Sequence, residues 1–406
     1  MSNELANVEQ SLNHGDAEQA LADAEAALSN RPNWPRAHML AASAASRLGK
    51  DDEARRHLVI CRDTLRHMPE NVEAHLTIAA LYTAIEDFQD ALEVLEPVWQ
   101  TVGDTPELLD AIAVNMHQAD RVEEAVEVYK KLLKLEPENL NIHHNICAAL
   151  LAIGKAKQAA SFASKWLKLA PGDTEAISFR AVALEEAGNF SAAAALMDFQ
   201  KFVTSEIIEP PEGFGSIDTF NTSLEIAILS HPDLSTPPED SPHYHDPALK
   251  ITDQILGPKT GPIADLEAMI RKEVDAYYAA RTKPKTHPFI GAVPQQYELV
   301  AWAAVLDKQG NQDAHIHFDG HLSGCYYVRI PEEVSADDNG SDGLVAGGFE
   351  VGRPPPEFGC RSDHRHRVIK PQEGMMVLFP SYMYHQTIPF EAKERRICVA
   401  FDVMPR

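Results

Sequence analysis

Along the first 200 residues, apolar positions recur at helical spacing and small residues recur at a longer fixed interval. Ala20, Ala54, Ala91, Ala125, Ala159 and Ala193 are separated by 34, 37, 34, 34 and 34 residues. Five positions before them stand turn formers: Gly15, Gly49, Gly154, Gly188 and, in another unit, Asp120. Prolines close the units at Pro32, Pro69, Pro137 and Pro171, most clearly in the pair Leu133-Lys-Leu-Glu-Pro137 and Leu167-Lys-Leu-Ala-Pro171. After Phe202 the period is lost. Pro210–Gly215 and Ser235–Pro242, rich in Pro and Gly, read as connectors. Leu266, Met269, Ile270, Val274 and Tyr277 predict one amphipathic helix over 262–281 that packs on the following sheet. From residue 296 short extended runs alternate with turns: Tyr297–Leu306, Ala314–Phe318, Gly324–Ile330, Gly343–Val351, Arg367–Lys370, Met375–Phe379, His385–Ile388 and Arg396–Val403.

A helix, a turn former, a helix with a small residue and then Pro, repeated every 34 residues, is the tetratricopeptide pattern. The small residue stands where paired helices approach closely, and Pro ends the second helix. Repeats of this kind stack into a superhelix with a concave face. A peptide or protein partner, the neighbouring domain and a second copy of the chain (a homo-oligomer) are the occupants that face can take. The extended runs predict a jelly-roll or double-stranded β-helix. The expected fold class is therefore multidomain α + β: a repeat array over 1–204, connector and supporting helices over 205–285, and a β-domain over 286–406.

Composition narrows the partners. The formal net charge is −25, with no Lys/Arg block, which argues against nucleic acid and anionic membrane as partners. Five widely spaced cysteines without a C-x-x-C argue against a disulfide framework and predict a reducing cytoplasm. No basic N-terminal segment leads into an apolar stretch and no run of 18 apolar residues occurs, so the sequence predicts a soluble protein without signal peptide or membrane span.

The chemistry concentrates in Asp313-Ala-His-Ile-His-Phe-Asp-Gly-His321 and in Val377–His385 with Arg396 beyond it. On a strand, His315, His317 and Asp319 point to one face. Two ligands from one strand, a histidine from a distant one and an arginine eleven residues later form the pattern of a non-haem iron site. Iron(II) suits imidazole and carboxylate and leaves positions open for an organic acid and dioxygen. A 2-oxo acid chelating there presents a second carboxylate, for which Arg396 supplies a bidentate fork. Adjacent Arg395 fits a surface ion pair. His243-Tyr-His245-Asp246 reads as a solvated loop, His321 as an exposed turn residue, His364-Arg-His366 as a polar segment near the barrel mouth, and Arg353 as a substrate contact or turn residue.

Residues 205–406 resemble the 2-oxoglutarate/Fe(II) oxygenases often fused to tetratricopeptide repeats. Three blocks carry the resemblance: His315–Pro331, Pro371–Thr387 and Glu394-Arg-Arg-Ile-Cys-Val-Ala-Phe-Asp402. It implies a double-stranded β-helix, Fe(II), 2-oxoglutarate as small-molecule cosubstrate, O₂, and release of succinate and CO₂ with oxidation of a second substrate. His385 matches the distal histidine ligand, Arg396 the cosubstrate arginine, and Tyr327 a tyrosine that bonds the far carboxylate, with Ser323 assisting from the same face. The first strand departs from the commoner His-x-Asp pattern. The ligand set is then His315/His317/His385, a triad of His317, Asp319 and His385, or two histidines completed by water or a distant carboxylate. A non-catalytic repeat adaptor and a three-histidine dioxygenase without 2-oxoglutarate are the rival functions.

Overall fold

The computed structural model describes residues 5–237, 249–307, 309–335, 345–361 and 364–406; the His243–Asp246 loop lies outside them. The chain divides into two compact units, 1–153 and 154–406.

The first unit is a succession of antiparallel helices, from Ala6–Asn13 and Ala17–Asn30 through Pro106–Gln118 and Val122–Leu135 to Leu140–Ala152. Each periodic alanine, from Ala20 to Ala193, has no exposed surface. A larger side chain there would force the helix pair apart, which is why the interval is kept. The turn before each alanine has one geometry: Gly15, Gly49, Glu86, Asp120, Gly154 and Gly188 all have positive φ, between 58° and 81°. The following amide reaches back to the carbonyl five residues earlier, as in Lys50 to Ala45 and Asp87 to Tyr82, both 2.9 Å. This closes the helix end with a left-handed residue. Glu86 holds that conformation without being a recognised turn former.

The second unit opens with the helices Ala156–Leu169, Thr174–Glu186 and Phe190–Leu196 and continues into two facing antiparallel sheets. The strands are β1 (Thr204–Ile207), β2 (Leu249–Ile251), β3 (Tyr297–Leu306), β4 (Gln309–His315), β5 (Leu322–Arg329), β6 (Phe349–Val351), β7 (Arg367–Ile369), β8 (Met375–Pro380), β9 (His385–Glu391) and β10 (Arg396–Pro405). The large sheet runs β1-β8-β5-β10-β3-β2 and the small one β4-β9-β6-β7. Their order is that of a double-stranded β-helix, with Tyr326, Tyr327, Val377, Phe379, Val399 and Phe401 in one core.

The stretch read as connector does more than connect. β1 pairs with β8 and β2 with β3, so it supplies both edges of the large sheet. The helix Ile217–Leu229 buries Asn221, whose side-chain oxygen accepts from the Tyr326 hydroxyl at 2.7 Å. The predicted amphipathic helix spans Pro262–Ala279 and buries Leu266, Met269, Ile270, Val274 and Tyr277. The strand expected over Ala314–Phe318 begins earlier and ends at His315, so His317 lies beyond the ladder.

Candidate metal centre

His315 and His385 face each other across the small sheet as register partners of β4 and β9. His317 is carried on the turn that follows, where its amide donates to the Ser381 carbonyl at 3.3 Å. The three imidazoles converge: one ring nitrogen from each lies within 4.8 Å of the others. The Nε2 atoms of His315 and His317 are 3.2 Å apart. Two nitrogens about 2.1 Å from one metal at right angles would stand about 3 Å apart, so the spacing fits a facial set.

The opposite edge of each ring is held. His315 Nδ1 lies 2.7 Å from the Asp313 carbonyl and His385 Nδ1 lies 3.1 Å from that of Met383. His317 Nδ1 lies 2.6 and 2.7 Å from the two oxygens of Asp402. A carbonyl only accepts, so Nδ1 of His315 and of His385 must carry the proton. In both rings Nε2 is thereby left with its lone pair, the form that binds a metal. His385 is buried, and burial, followed by the neighbouring His315 and His317, holds its pKa well below the usual imidazole value. A group that resists protonation is a ready ligand at neutral pH.

Asp402, on β10, had no role in the sequence reading. It is 9% exposed, and its Oδ1 also accepts from the Ser323 hydroxyl at 2.7 Å, with Ser381 Oγ a further 2.8 Å from Ser323. Gly320 admits this group: a Cβ there would stand 2.7 Å from Ser381 Oγ. Ser323, expected beside the cosubstrate, is thus engaged with the carboxylate behind His317. Asp319, the alternative ligand, lies on the exposed turn and is not part of the converging set.

Arg396 is 3% exposed. Among the described residues its one hydrogen-bond acceptor is the Gly347 carbonyl, at 2.7 Å from Nη1, and no carboxylate stands within ion-pair reach. Its guanidinium carbon lies 5.4 Å from the ring centres of both Tyr327 and Phe390. The Tyr327 hydroxyl is buried with only the Cys325 thiol, a weak partner, beside it. A buried guanidinium without its anion is costly, and so is a hydroxyl with only a weak partner. Together they form a cradle whose chemistry fits a carboxylate. Arg395, by contrast, pairs with Asp307 at 3.5 Å.

An open cavity of about 300 Å³ reaches His315 and His317 from outside, lined also by Trp302, Phe318, Met404 and Asp319. Phe349 and Phe379 close the other side of His385, with ring centres 5.6 and 4.6 Å from its imidazole.

Two histidines depart from their expected settings, and Arg353 forms an ion pair. His321 is buried, Nδ1 against the Tyr278 hydroxyl and Nε2 against the Phe289 carbonyl, both at 3.0 Å. An exposed turn was expected because the ring's partners come from distant helices. His364, read as part of a polar segment near the barrel mouth, is 4% exposed and bonded to Glu186 on the helix Thr174–Glu186. Arg353 pairs with Glu350 at 2.9 Å.

A family model described as "Putative 2OG-Fe(II) oxygenase" matches residues 300–402, and a tetratricopeptide-repeat model matches residues 116–181. A curated relative, "Uncharacterized protein y4yS" of Sinorhizobium fredii, is 34% identical over 97 residues, or 24% of this chain and 53% of the relative. The match thus spans about half of that relative's length. Among solved structures, the MamA protein is 19% identical at TM-score 0.35, covering 40% of this chain and 88% of that one. YrrB, described as a TPR protein with an unusual peptide-binding site, is 14% identical at TM-score 0.35 over 43% and 89%. A Pseudomonas putida prolyl-4-hydroxylase is 14% identical at TM-score 0.34 over 52% and 96%. No helix among the described residues is long and apolar enough to cross a membrane.

Proposed function

We propose, for a chain that joins tetratricopeptide repeats to a 2OG-Fe(II) oxygenase domain, that His315, His317 and His385 hold iron(II) and that Arg396 and Tyr327 hold 2-oxoglutarate. Iron bound there supplies activation of O₂, coupled to decarboxylation of 2-oxoglutarate to succinate and CO₂ and to hydroxylation of a second substrate. The observation that carries this reading is the pairing of three converging imidazoles with a buried arginine that has no carboxylate partner among the described residues.

Each protein group has a stated task. Asp402, kept in place by Ser323, orients His317 and lends the three-histidine set the negative charge that a ligating carboxylate would have given it. Arg396 takes the far carboxylate of the cosubstrate, and the Tyr327 hydroxyl donates a hydrogen bond to it. Phe349 and Phe379 exclude water beside His385. The open cavity with Trp302, Phe318 and Met404 receives the second substrate. The repeats recruit that substrate as a peptide or protein, and five widely spaced cysteines without a C-x-x-C support a reducing cytoplasm as its setting.

A second reading, a three-histidine dioxygenase that uses no 2-oxoglutarate, draws on the all-imidazole make-up of the converging set among the described residues. Succinate formation separates the two. Anaerobically purified protein given Fe(II), 2-oxoglutarate and air, without added substrate, should release succinate slowly, and Arg396→Ala should abolish it. No succinate together with no 2-oxoglutarate binding would overturn the proposal in favour of the second reading or a non-catalytic adaptor.

A further inference from the structure

A second convergence of metal-ligating groups lies away from the three histidines. Glu186 ends the helix Thr174–Glu186, while Cys360 and His364 stand on the segment that leads into β7. One ligating atom from each lies within 4.8 Å of the others. His364 Nε2 is 2.8 Å from Glu186 Oε1, and its Nδ1 faces Glu185 Oε2 at 3.5 Å. Glu185 is itself fixed, its Oε1 accepting from the amide of Arg365 at 3.1 Å and from Arg365 Nε at 3.3 Å. Glu186 Oε2 accepts from the Arg361 amide at 3.1 Å.

We propose that Glu186, Cys360 and His364 form a second metal site, distinct from the iron centre and suited to Zn²⁺. A thiolate, an imidazole and a carboxylate from two separate segments are a borderline-soft N/S/O set, whereas the three imidazoles of the other centre offer no sulfur. A carboxylate behind a ligating imidazole is the usual means of fixing its orientation, and Glu185 stands there, held by Arg365. Binding displaces two protons, one from the Cys360 thiol and one shared between His364 and Glu186. Zn²⁺ with one thiolate, one carboxylate and a neutral imidazole is then electrically balanced, and Glu185 with Arg365 is balanced beside it. The metal would tie the helix end to the segment before β7, with a fourth position left for water.

Cobalt(II) titration of the full-length apoprotein tests this, because thiolate ligation gives a near-ultraviolet charge-transfer band that an all-histidine site lacks. Titration past two equivalents, so that both centres fill, should develop that band, and Zn²⁺ should bleach it. Cys360→Ser and His364→Gln should each abolish it, and Glu185→Gln should weaken cobalt binding about 10–100-fold. His385→Ala should keep the band, which separates this site from the iron centre. Wild-type protein that binds cobalt without the band, or a band that survives Cys360→Ser, would overturn the assignment and leave a proton, not a metal, between His364 and Glu186. Far-ultraviolet circular dichroism of both variants shows whether a lost band reflects the ligand or the fold.

Discussion

Both carboxylate oxygens of Asp402 lie within 2.7 Å of His317 Nδ1, although 85 positions separate the two residues in the chain. The contact fixes the ring's orientation, as a carboxylate behind a metal-binding imidazole does. Asp402→Asn keeps the shape and removes the charge. We expect iron affinity to fall about 10–100-fold, with Ser323→Ala producing a smaller loss in the same direction. Iron content after dialysis against a graded chelator measures both. Equal retention by Asp402→Asn and wild type would remove Asp402 from this role.

Arg396 is the most exacting test of the cosubstrate site. Its guanidinium is buried and has no carboxylate partner among the described residues. Arg396→Ala should therefore weaken 2-oxoglutarate by about 2–5 kcal/mol, the cost of truncating one partner of a buried charge pair. Iron binding should stay as in wild type. Calorimetric titration reads the first and metal analysis the second; unchanged 2-oxoglutarate affinity would sink the assignment.

Tyr327→Phe separates stability from binding. The hydroxyl has only the Cys325 thiol, a weak partner, beside it, so its removal costs the fold little, and the apoprotein should unfold at the same temperature or higher. The same variant should bind 2-oxoglutarate more weakly by about 1.5–3 kcal/mol, the worth of a hydrogen bond to a charged group. A destabilised apoprotein with unchanged binding would show that the hydroxyl serves the fold instead.

His321 gives a pH signature. Burial lowers its pKa to about 4 from the ordinary 6.5, and the Phe289 carbonyl offsets this only in part. The unfolded chain then binds a proton at His321 that the folded chain refuses, between those two values. Stability is full above pH 6.5 and falls as the pH drops towards 4, by about 3 kcal/mol at about 1.4 kcal/mol per unit. His321→Phe should flatten that part of a denaturant-midpoint profile. An identical slope in the variant would place the titration elsewhere.

The parts of this molecule that repeat or alternate were legible in its sequence. The alanine interval announced the helix pairs because close approach admits one size of side chain, and six buried alanines keep it. β3 was legible to its ends because Tyr297–Leu306 alternates against a half-buried face. His315, His317, His385 and Arg396 stood out by residue type and spacing. What could not be read were contacts made across long loops. β1 is four residues long and finds its partner in β8, where Thr204 faces Leu378, so no local pattern marks it. Ser323 looked like a cosubstrate contact because it shares a face with Tyr327, but its bonding partner Asp402 stands on the neighbouring strand. Glu86 carries no turn signal, and the array imposes the left-handed backbone on it.

β10 begins with Arg396 and reaches Asp402 six residues later, and its pairing with β3 runs unbroken from 396 to 405. At about 3.3 Å per residue the two groups are fixed about 20 Å apart along one ladder, like marks on a ruler. A single inserted or deleted residue between them would turn one of the pair to the far side of the sheet while leaving the other in place. A substitution within the strand leaves that spacing unchanged. The distance between the Arg396 guanidinium and the carboxylate behind His317 is thus set by one continuous length of backbone.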